Sequence, residues 1–208
     1  MISGCLPRLL CQKGNFGELS LGFQRSAWRR VPEQELLLTE DGGVPRQRTF
    51  LKAGWDEECL RILFFAEDSH PWATLTERDA PLYKEEVIEV FLDPVGDLSA
   101  YFEIEVNPNN AVLDLCIRRI RSGYRKDFRW RCEGLRTVAG IVEGGWATEL
   151  AIPFASVSGR PPIEGDCWRA NFTRIDRPEG VPRELSAWSP TGFAQFHIPE
   201  RFGLLEFC

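Results

Sequence analysis

Acidic and amide side chains fall on odd-numbered positions in two segments near the middle of this 208-residue chain. Glu89 lies in segment 87–93, and Glu105 and Asn107 lie in segment 101–107. The even-numbered positions in both are apolar, which predicts two strands whose polar side chains share one face. Carboxylates and an amide beside aromatic rings can hydrogen-bond the hydroxyls of a sugar while a ring covers its C–H face.

Two other interpretations of this polar face remain open. Like charges opposite one another across a strand pair repel, so Glu89 and Glu105 require a partner that offsets them. In the structural interpretation the face is solvated, and Arg169 on a neighbouring strand offsets the acids. In the enzymatic interpretation Glu89 and Glu105 flank a glycosidic bond, as the paired carboxylates of glycoside hydrolases do at separations of about 5–10 Å.

The segments that must position these residues follow a period of two along most of the chain. Alternating apolar residues at 60–66, 146–152 and 168–172 predict further strands, and Gly, Pro and Asn between them predict turns. The pattern predicts an all-β, immunoglobulin-like or jelly-roll sandwich of two mostly antiparallel sheets, with little helix beyond a turn near 153–158. One domain over 1–208 is expected, with 1–27 as an irregular arm or edge strand.

Composition and charge exclude several classes of partner. The formal net charge is -6 and the pI is near 5.1, so overall charge does not draw the chain to nucleic acid or to an anionic membrane. The sequence contains no run of about 20 apolar residues, so it predicts no membrane span. The basic run 118–131 is interpreted as a solvated hairpin that turns at Ser122-Gly123.

The cysteines and the chain start bear on location. Seven cysteines without C-x-x-C spacing argue against zinc and favour small buried hydrophobes, with a Cys116–Cys132 bridge as the alternative. The segment from Met1 to Cys11 lacks a continuous apolar stretch and is a poor secretory signal. Either the protein stays inside the cell or its true start lies elsewhere.

Several motifs, in order, give the chain a family resemblance. From about Trp28 to its C-terminus it resembles the family 9 carbohydrate-binding modules, which are immunoglobulin-like sandwiches. The motifs that carry the resemblance are Ala-Gly-Trp-Asp at 53–56, Val-Ile-Glu-Val-Phe-Leu-Asp-Pro at 87–94, Tyr-Phe-Glu-Ile-Glu-Val-Asn-Pro at 101–108, Trp-Ala-Thr-Glu-Leu-Ala-Ile-Pro-Phe at 146–154, Cys-Trp-Arg-Ala-Asn-Phe at 167–172, Ala-Trp-Ser-Pro at 187–190 and Phe-His-Ile-Pro-Glu-Arg-Phe-Gly at 196–203.

The resemblance implies non-catalytic carbohydrate binding, in which two aromatic rings clamp a terminal sugar. The rings map to Tyr83 and Phe196, where the best-known members carry tryptophans. Trp72, in a polar loop, is a candidate replacement platform. The implied polar contacts are Glu89, Glu105, Asn107, Asn171 and Thr173. At the position of Glu105 the family's members carry a basic residue. The other tryptophans, at 28, 55, 146, 168 and 188, are predicted to lie in the core.

The resemblance has further implications for role and ligands. Members of the family are usually accessories to glycoside hydrolases in carbohydrate catabolism, which suggests a secreted or cell-envelope protein. They often bind structural calcium, for which the candidate ligands are Asp68, Asp79, Asp93 and Asp97. A haem-binding relative on the same fold uses Met and His ligands, which here would come from Met1, His70 and His197. A structural or protein-interaction domain that has lost the sugar is the remaining alternative.

Overall fold

The computed structural model describes residues 5–178 and 180–208. Strands account for nearly all of its regular structure, and α1 (Phe154–Val157) is its one α-helical turn within that part of the chain. The strands are β1 (Arg8–Lys13), β2 (Gln34–Glu35), β3 (Leu37–Leu38), β4 (Thr49–Trp55), β5 (Cys59–Glu67), β6 (Val87–Asp93), β7 (Ala100–Val106), β8 (Val112–Ile120), β9 (Gly123–Asp127), β10 (Arg136–Val142), β11 (Gly145–Pro153), β12 (Cys167–Asp176), β13 (Glu184–Ala187) and β14 (Gly203–Phe207). Single 3-10 turns occupy Ser26–Trp28, Leu82–Lys84 and Pro199–Arg201.

The all-β class with little helix is confirmed, but hydrogen bonding joins the strands into one curled mixed sheet instead of two separate sheets. The strand order is β10-β11-β5-β4-β1-β14-β12-β6-β7-β8-β9, with β2, β3 and β13 attached beside this path. Strand β1 makes the join: it pairs in parallel with β14 through residues 8–11 and with β4 through Gln12 and Lys13. The other strand pairs are antiparallel.

The expectation of an irregular arm or edge strand at the N-terminus is wrong for residues 8–13. This segment is β1, an interior strand with neighbours on both sides. Leu9 and Cys11 are buried, whereas the intervening Leu10 is 48% exposed. The partners of β1 lie about 40 and almost 200 residues away, at 54–55 and 204–207. Short-range sequence patterns carry no information on such pairings.

A large apolar core draws on both halves of the curled sheet. Its residues come from β4, β5 and β11 in one half and from β6, β7 and β12 in the other. Four of the five predicted core tryptophans, at 55, 146, 168 and 188, belong to this cluster, and Trp28 is buried against Phe16 in a smaller one. The even-numbered residues of β6 point into the large core, which is the direction that the period of two predicts.

A second apolar core covers the opposite face of β6, β7 and β8. Phe91 and Tyr101, which lie among the polar residues of that face, pack against Leu82, Phe196 and Phe202 from the loops. The solvated outer face of the structural interpretation is therefore wrong. The carboxylates of the face are buried beneath loops that the alternation of the strands alone does not predict.

All seven cysteines lie in the described part of the chain and carry free thiols. Cys116 and Cys132 are buried and unbridged, so the small-hydrophobe interpretation holds and the alternative disulfide is absent from the structure. The basic run forms the β8–β9 hairpin, where Ile120 pairs with Gly123 across the expected turn. None of the helical segments in the described residues has the length and hydropathy needed to cross a bilayer.

Candidate functional site

Three glutamates form a compact carboxylate cluster on the face that carries the second core. Glu89 on β6 pairs across the ladder with Glu105 on β7, and Glu103 pairs with Phe91 one step along. Each glutamate is at most 3% exposed. One carboxylate oxygen from each lies within 4.8 Å of the others. The two predicted strands therefore pair with their polar residues on one face, and their pairing concentrates acid where water is largely excluded.

Burial dominates the titration of this cluster. It raises the pKa of Glu89 to about 8; the charge of Glu103 raises it further, and the hydroxyl of Thr173 lowers it. Burial, followed by the charges of Glu89 and Glu103, raises the pKa of Glu105 well above its usual range. The cluster consequently retains protons at neutral pH, which reduces the repulsion that three buried carboxylates would otherwise suffer.

Two basic side chains from outside β6 and β7 approach the cluster. The Lys126 ammonium, on β9, lies 3.7 Å from Oε2 of Glu103, and Nε2 of His197 lies 4.0 Å from the same oxygen. Lys126 and His197 are 2.9 Å apart, and the Tyr101 hydroxyl lies 3.1 Å from Nδ1 of His197. Burial lowers the pKa of His197, which favours its neutral form beside the lysine.

Arg169 does not supply the offset that the structural interpretation assigned to it. It pairs in register with Asp93, and its guanidinium donates to the backbone carbonyl of Phe202. Sequence reasoning missed Lys126 and His197 as members of the site. Their signals were weak, because Lys126 is one of many cations in a basic run and His197 simply follows the predicted ring Phe196.

A small pocket of about 190 Å³ includes two of the three glutamates in its lining. Glu89 and Glu103 line it, and so do the predicted rings Tyr83 and Phe196. Tyr83 is 41% exposed, whereas Phe196 is only 6% exposed and packs against Phe91 at 6.4 Å between ring centroids. The structure thus brings the two rings to one pocket but leaves only one of them open to solvent.

The predicted amide and hydroxyl contacts are already engaged within the protein. Asn107 donates to the carbonyl of Leu75 and accepts from the backbone N–H groups of Asn109 and Ala111. Asn171 donates to the carbonyl of Ser189 and accepts from the N–H of the same residue.

Thr173 and Glu105 are likewise withdrawn from solvent. The Thr173 hydroxyl donates to Oε2 of Glu89 at 2.8 Å, and its side chain is completely buried. Glu105 is 1% exposed. Neither residue lines the pocket, so both act on it through Glu89 and Glu103.

Trp72 lies in a separate and larger cleft of about 510 Å³. Its ring is partly exposed, and its indole N–H donates to the carbonyl of Arg177 at 2.6 Å. Lys84, Arg177 and Arg183 also line this cleft, and Arg183 lines the glutamate pocket as well. The two depressions therefore share a wall.

The four aspartates proposed for calcium do not converge on one site. Asp79 pairs with Arg131, and Asp93 and Asp97 accept hydrogen bonds from backbone N–H groups of their own turn. Asp68 does join a carboxylate group, with Glu86 and Asp176.

A buried arginine already occupies the centre of that second carboxylate group. Arg174 is fully buried, and its guanidinium lies 2.6 Å from Asp68 and also contacts Glu86 and Asp176. The indole of Trp146 donates to Glu86 at 3.0 Å. A guanidinium in this position supplies the positive charge that a calcium ion would, so these residues do not fit calcium.

The histidines proposed as haem ligands lie in different depressions. His70 lines the cleft of Trp72, and His197 lines the glutamate pocket. Met1, the proposed thioether ligand, lies outside the described residues. The arrangement does not bring two axial ligands together.

A family model confirms the resemblance. The family model described as "Carbohydrate family 9 binding domain-like" matches residues 25–208. The chain belongs to this family. A curated relative of this family 9 domain, "Extracellular protein" of Arthroderma benhamiae, is 27% identical over 189 residues, which cover 80% of this chain and 83% of the relative.

Solved structures share the fold of this family 9 domain. A family 9 carbohydrate-binding module of Caldicellulosiruptor kristjanssonii in complex with glucose superposes with a TM-score of 0.72 at 17% identity, covering 97% of this chain and 96% of the other. The module from that organism in complex with cellotriose gives a TM-score of 0.73 at 17% identity, with coverages of 97% and 93%. At these identities the likeness concerns the fold.

Proposed function

We propose that this family 9 domain binds carbohydrate without catalysis, taking one terminal sugar ring into the glutamate pocket. The observation that carries the proposal is the exposed ring of Tyr83 beside the buried carboxyls of Glu89 and Glu103 in one concave site. The related modules in complex with glucose and cellotriose support it. A volume of about 190 Å³ equals roughly six water molecules, which suits one small ring and not a chain interior.

The chemistry of the pocket suits sugar hydroxyls. A neutral Glu89 carboxyl can both donate and accept a hydrogen bond, and the Lys126 ammonium, which also lines the pocket, adds a donor. Tyr83 offers a flat apolar face to the C–H groups of a pyranose. Buried Phe196 shapes the wall of the pocket instead of closing a two-sided clamp. With one stacking ring in place of two, we expect weak binding.

A non-binding role as a structural or protein-interaction domain is the second candidate. The burial of Phe196 and the internal hydrogen bonds of Asn107 and Asn171 favour it, because each withdraws a predicted sugar contact. The two candidates differ in a single measurable property, which is the binding of a free oligosaccharide.

The geometry does not favour hydrolysis by Glu89 and Glu105. Their nearest oxygens lie within 4.8 Å, Glu105 does not line the pocket, and glycoside hydrolases need both carboxyls beside the bond at about 5–10 Å.

A role in carbohydrate catabolism beside a glycoside hydrolase, and an extracellular location like that of the Arthroderma relative, follow from the same proposal. We also propose that the two halves of the curled sheet act as the layers of a sandwich.

Calorimetry with glucose, cellotriose and xylotriose tests the proposal. We expect binding that weakens about tenfold in Tyr83→Ala, because a stacked ring and its buried area contribute roughly 1–2 kcal/mol. Glu89→Gln should weaken it by a similar factor, because the amide cannot reproduce the pattern of a protonated carboxyl. Phe128→Ala is the matched control, since that ring is 47% exposed directly after β9 and is not among the residues that line the pocket. Absence of binding to these sugars and to a broad glycan array would leave the non-binding role.

A further inference from the structure

The cleft of Trp72 combines one aromatic ring with three cations. Its lining includes Lys84, Arg177 and Arg183, together with the apolar side chain of Val181. These cations stand out because the whole chain carries a formal net charge of -6. The cleft volume of about 510 Å³ falls in the range typical of small-molecule sites.

The cations of the cleft are not neutralised by the acids beside them in sequence. Glu85, next to Lys84, accepts from the hydroxyl and backbone N–H of Thr74. Glu184, next to Arg183, pairs with Arg46. Within 5–178 and 180–208, no carboxylate forms an ion pair with Lys84, Arg177 or Arg183.

The two guanidiniums of the cleft carry like charges that interact. Burial, and then the charge of Arg183, lower the pKa of Arg177, so the arginines are near enough to interact. Arg177 also donates to the backbone carbonyl of Tyr83 at 3.1 Å and accepts at its own carbonyl from the indole of Trp72. These bonds hold Arg177 and Trp72 next to Tyr83, whose exposed ring lines the glutamate pocket.

The indole N–H of Trp72 is used internally, which leaves the face of its ring for a ligand. A pyranose that packs its C–H face on this ring would place its substituents among the cations. A carboxylate substituent would gain charge-assisted hydrogen bonds there, which are stronger than those of neutral hydroxyls. A neutral sugar would offer these cations no opposite charge.

We infer that the cleft of Trp72 is a second subsite for an acidic sugar, a uronate, next to the terminal-sugar pocket. The inference rests on the proposed carbohydrate function and names its ligand class. Lys84 directly follows Tyr83, and Arg183 lines both depressions, so consecutive sugar units of one oligosaccharide can occupy them. The domain would therefore prefer acidic oligosaccharides over neutral ones of the same backbone.

Calorimetry with a matched pair of oligosaccharides tests the inference: xylotriose and xylotriose that carries one glucuronic acid. We expect the acidic ligand to bind about tenfold more tightly in about 20 mM salt, and the advantage to shrink to about twofold at about 0.5 M salt, where charges are screened within a few ångströms. Inorganic phosphate, added as a competitor, should displace the acidic ligand only weakly, because it cannot stack on Trp72.

Lys84→Glu is the decisive variant, and Arg121→Glu is its matched control. Both residues are exposed, and Arg121 lies at the β8–β9 turn, away from the lining of the cleft. Lys84→Glu should remove the preference for the acidic ligand, while Arg121→Glu should retain both that preference and the affinity for xylotriose. Thermal melts check that both variants fold.

Three results would overturn the inference. Equal affinity of the wild type for both ligands would refute the acidic subsite and leave the proposed function intact, because xylotriose still binds. Full displacement by phosphate would mark a general anion site. Failure of both ligands to bind would remove the proposed function together with the inference.

Discussion

Glu89 on β6 and Glu105 on β7 face one another directly across the sheet, and both carboxyls are buried. Such a pair is tolerated because burial keeps protons on it, and because Lys126 lies beside the neighbouring Glu103. An arginine at position 105 would neutralise Glu89 outright. The glutamate found there makes the centre of the site depend on pH.

The stability of the domain should fall as pH rises from about 6.5 to about 8. The ordinary pKa of a glutamate is 4.5, whereas that of Glu89 is about 8, so in this interval the folded state holds a proton that the unfolded state has lost. Each such proton lowers the free energy of unfolding by up to about 1.4 kcal/mol per pH unit. The lowered pKa of His197 has the opposite effect but acts mainly below its usual 6.5.

Urea unfolding across that interval measures the slope, and Glu105→Gln is the informative variant. An amide of the same shape cannot ionise, so the variant should lose part of the slope and be more stable than wild type at the upper end. Glu206→Gln, at the surface salt bridge with Arg8, should leave the slope unchanged. A pH-independent wild type would contradict the assignment of buried protons.

Replacement of Arg174 by methionine should be strongly destabilising. The side chain is fully buried and contacts Asp68, Glu86 and Asp176, so its removal leaves three carboxylates without their cation, at a cost of about 3–5 kcal/mol. Arg46→Met, which breaks an exposed pair with Glu184, should cost less than about 1 kcal/mol. Equal unfolding free energies for the two variants would refute this ranking.

Gly145→Ala should prevent β11 from pairing normally at its start. A Cβ atom at this position would lie 1.9 Å from the backbone carbonyl oxygen of Ala66, and backbone in the middle of a sheet cannot give way. We expect a loss of about 3 kcal/mol or more in chemical denaturation. Gly22→Ala is the control, because its nearest neighbours lie at an ordinary 3.5 Å. A small effect of Gly145→Ala would show that β5 and β11 can separate locally.

The cysteines should divide into two classes toward a thiol reagent. Cys5, Cys167 and Cys208 are exposed and should react rapidly in the native protein. The buried four should react only on unfolding, since burial raises the pKa of Cys132, for example, to about 12. Titration in denaturant should count seven thiols. A count of five would reveal the disulfide that the structure lacks.

Local sequence patterns predict many of the strands. The period of two around Glu89 and Glu105 predicts β6, β7 and their shared face, because alternation of side chains is a property of the extended backbone itself. The turn at Pro153 and the hairpin at Ser122-Gly123 follow from equally local preferences. The family motifs then indicate a carbohydrate-binding domain, which the family match supports.

The surroundings of that face depend on contacts between residues far apart in the chain. Phe196 is an ordinary aromatic residue in sequence, and only its packing on Phe91 withdraws it from solvent. Asn171 is a free amide as far as local sequence shows, and only the folded structure brings the Ser189 carbonyl to accept its hydrogen bond. Alternation along a strand determines which side chains share a face, but only tertiary folding determines whether water, a loop or a ligand covers that face, because burial sums over neighbours that no local pattern encodes.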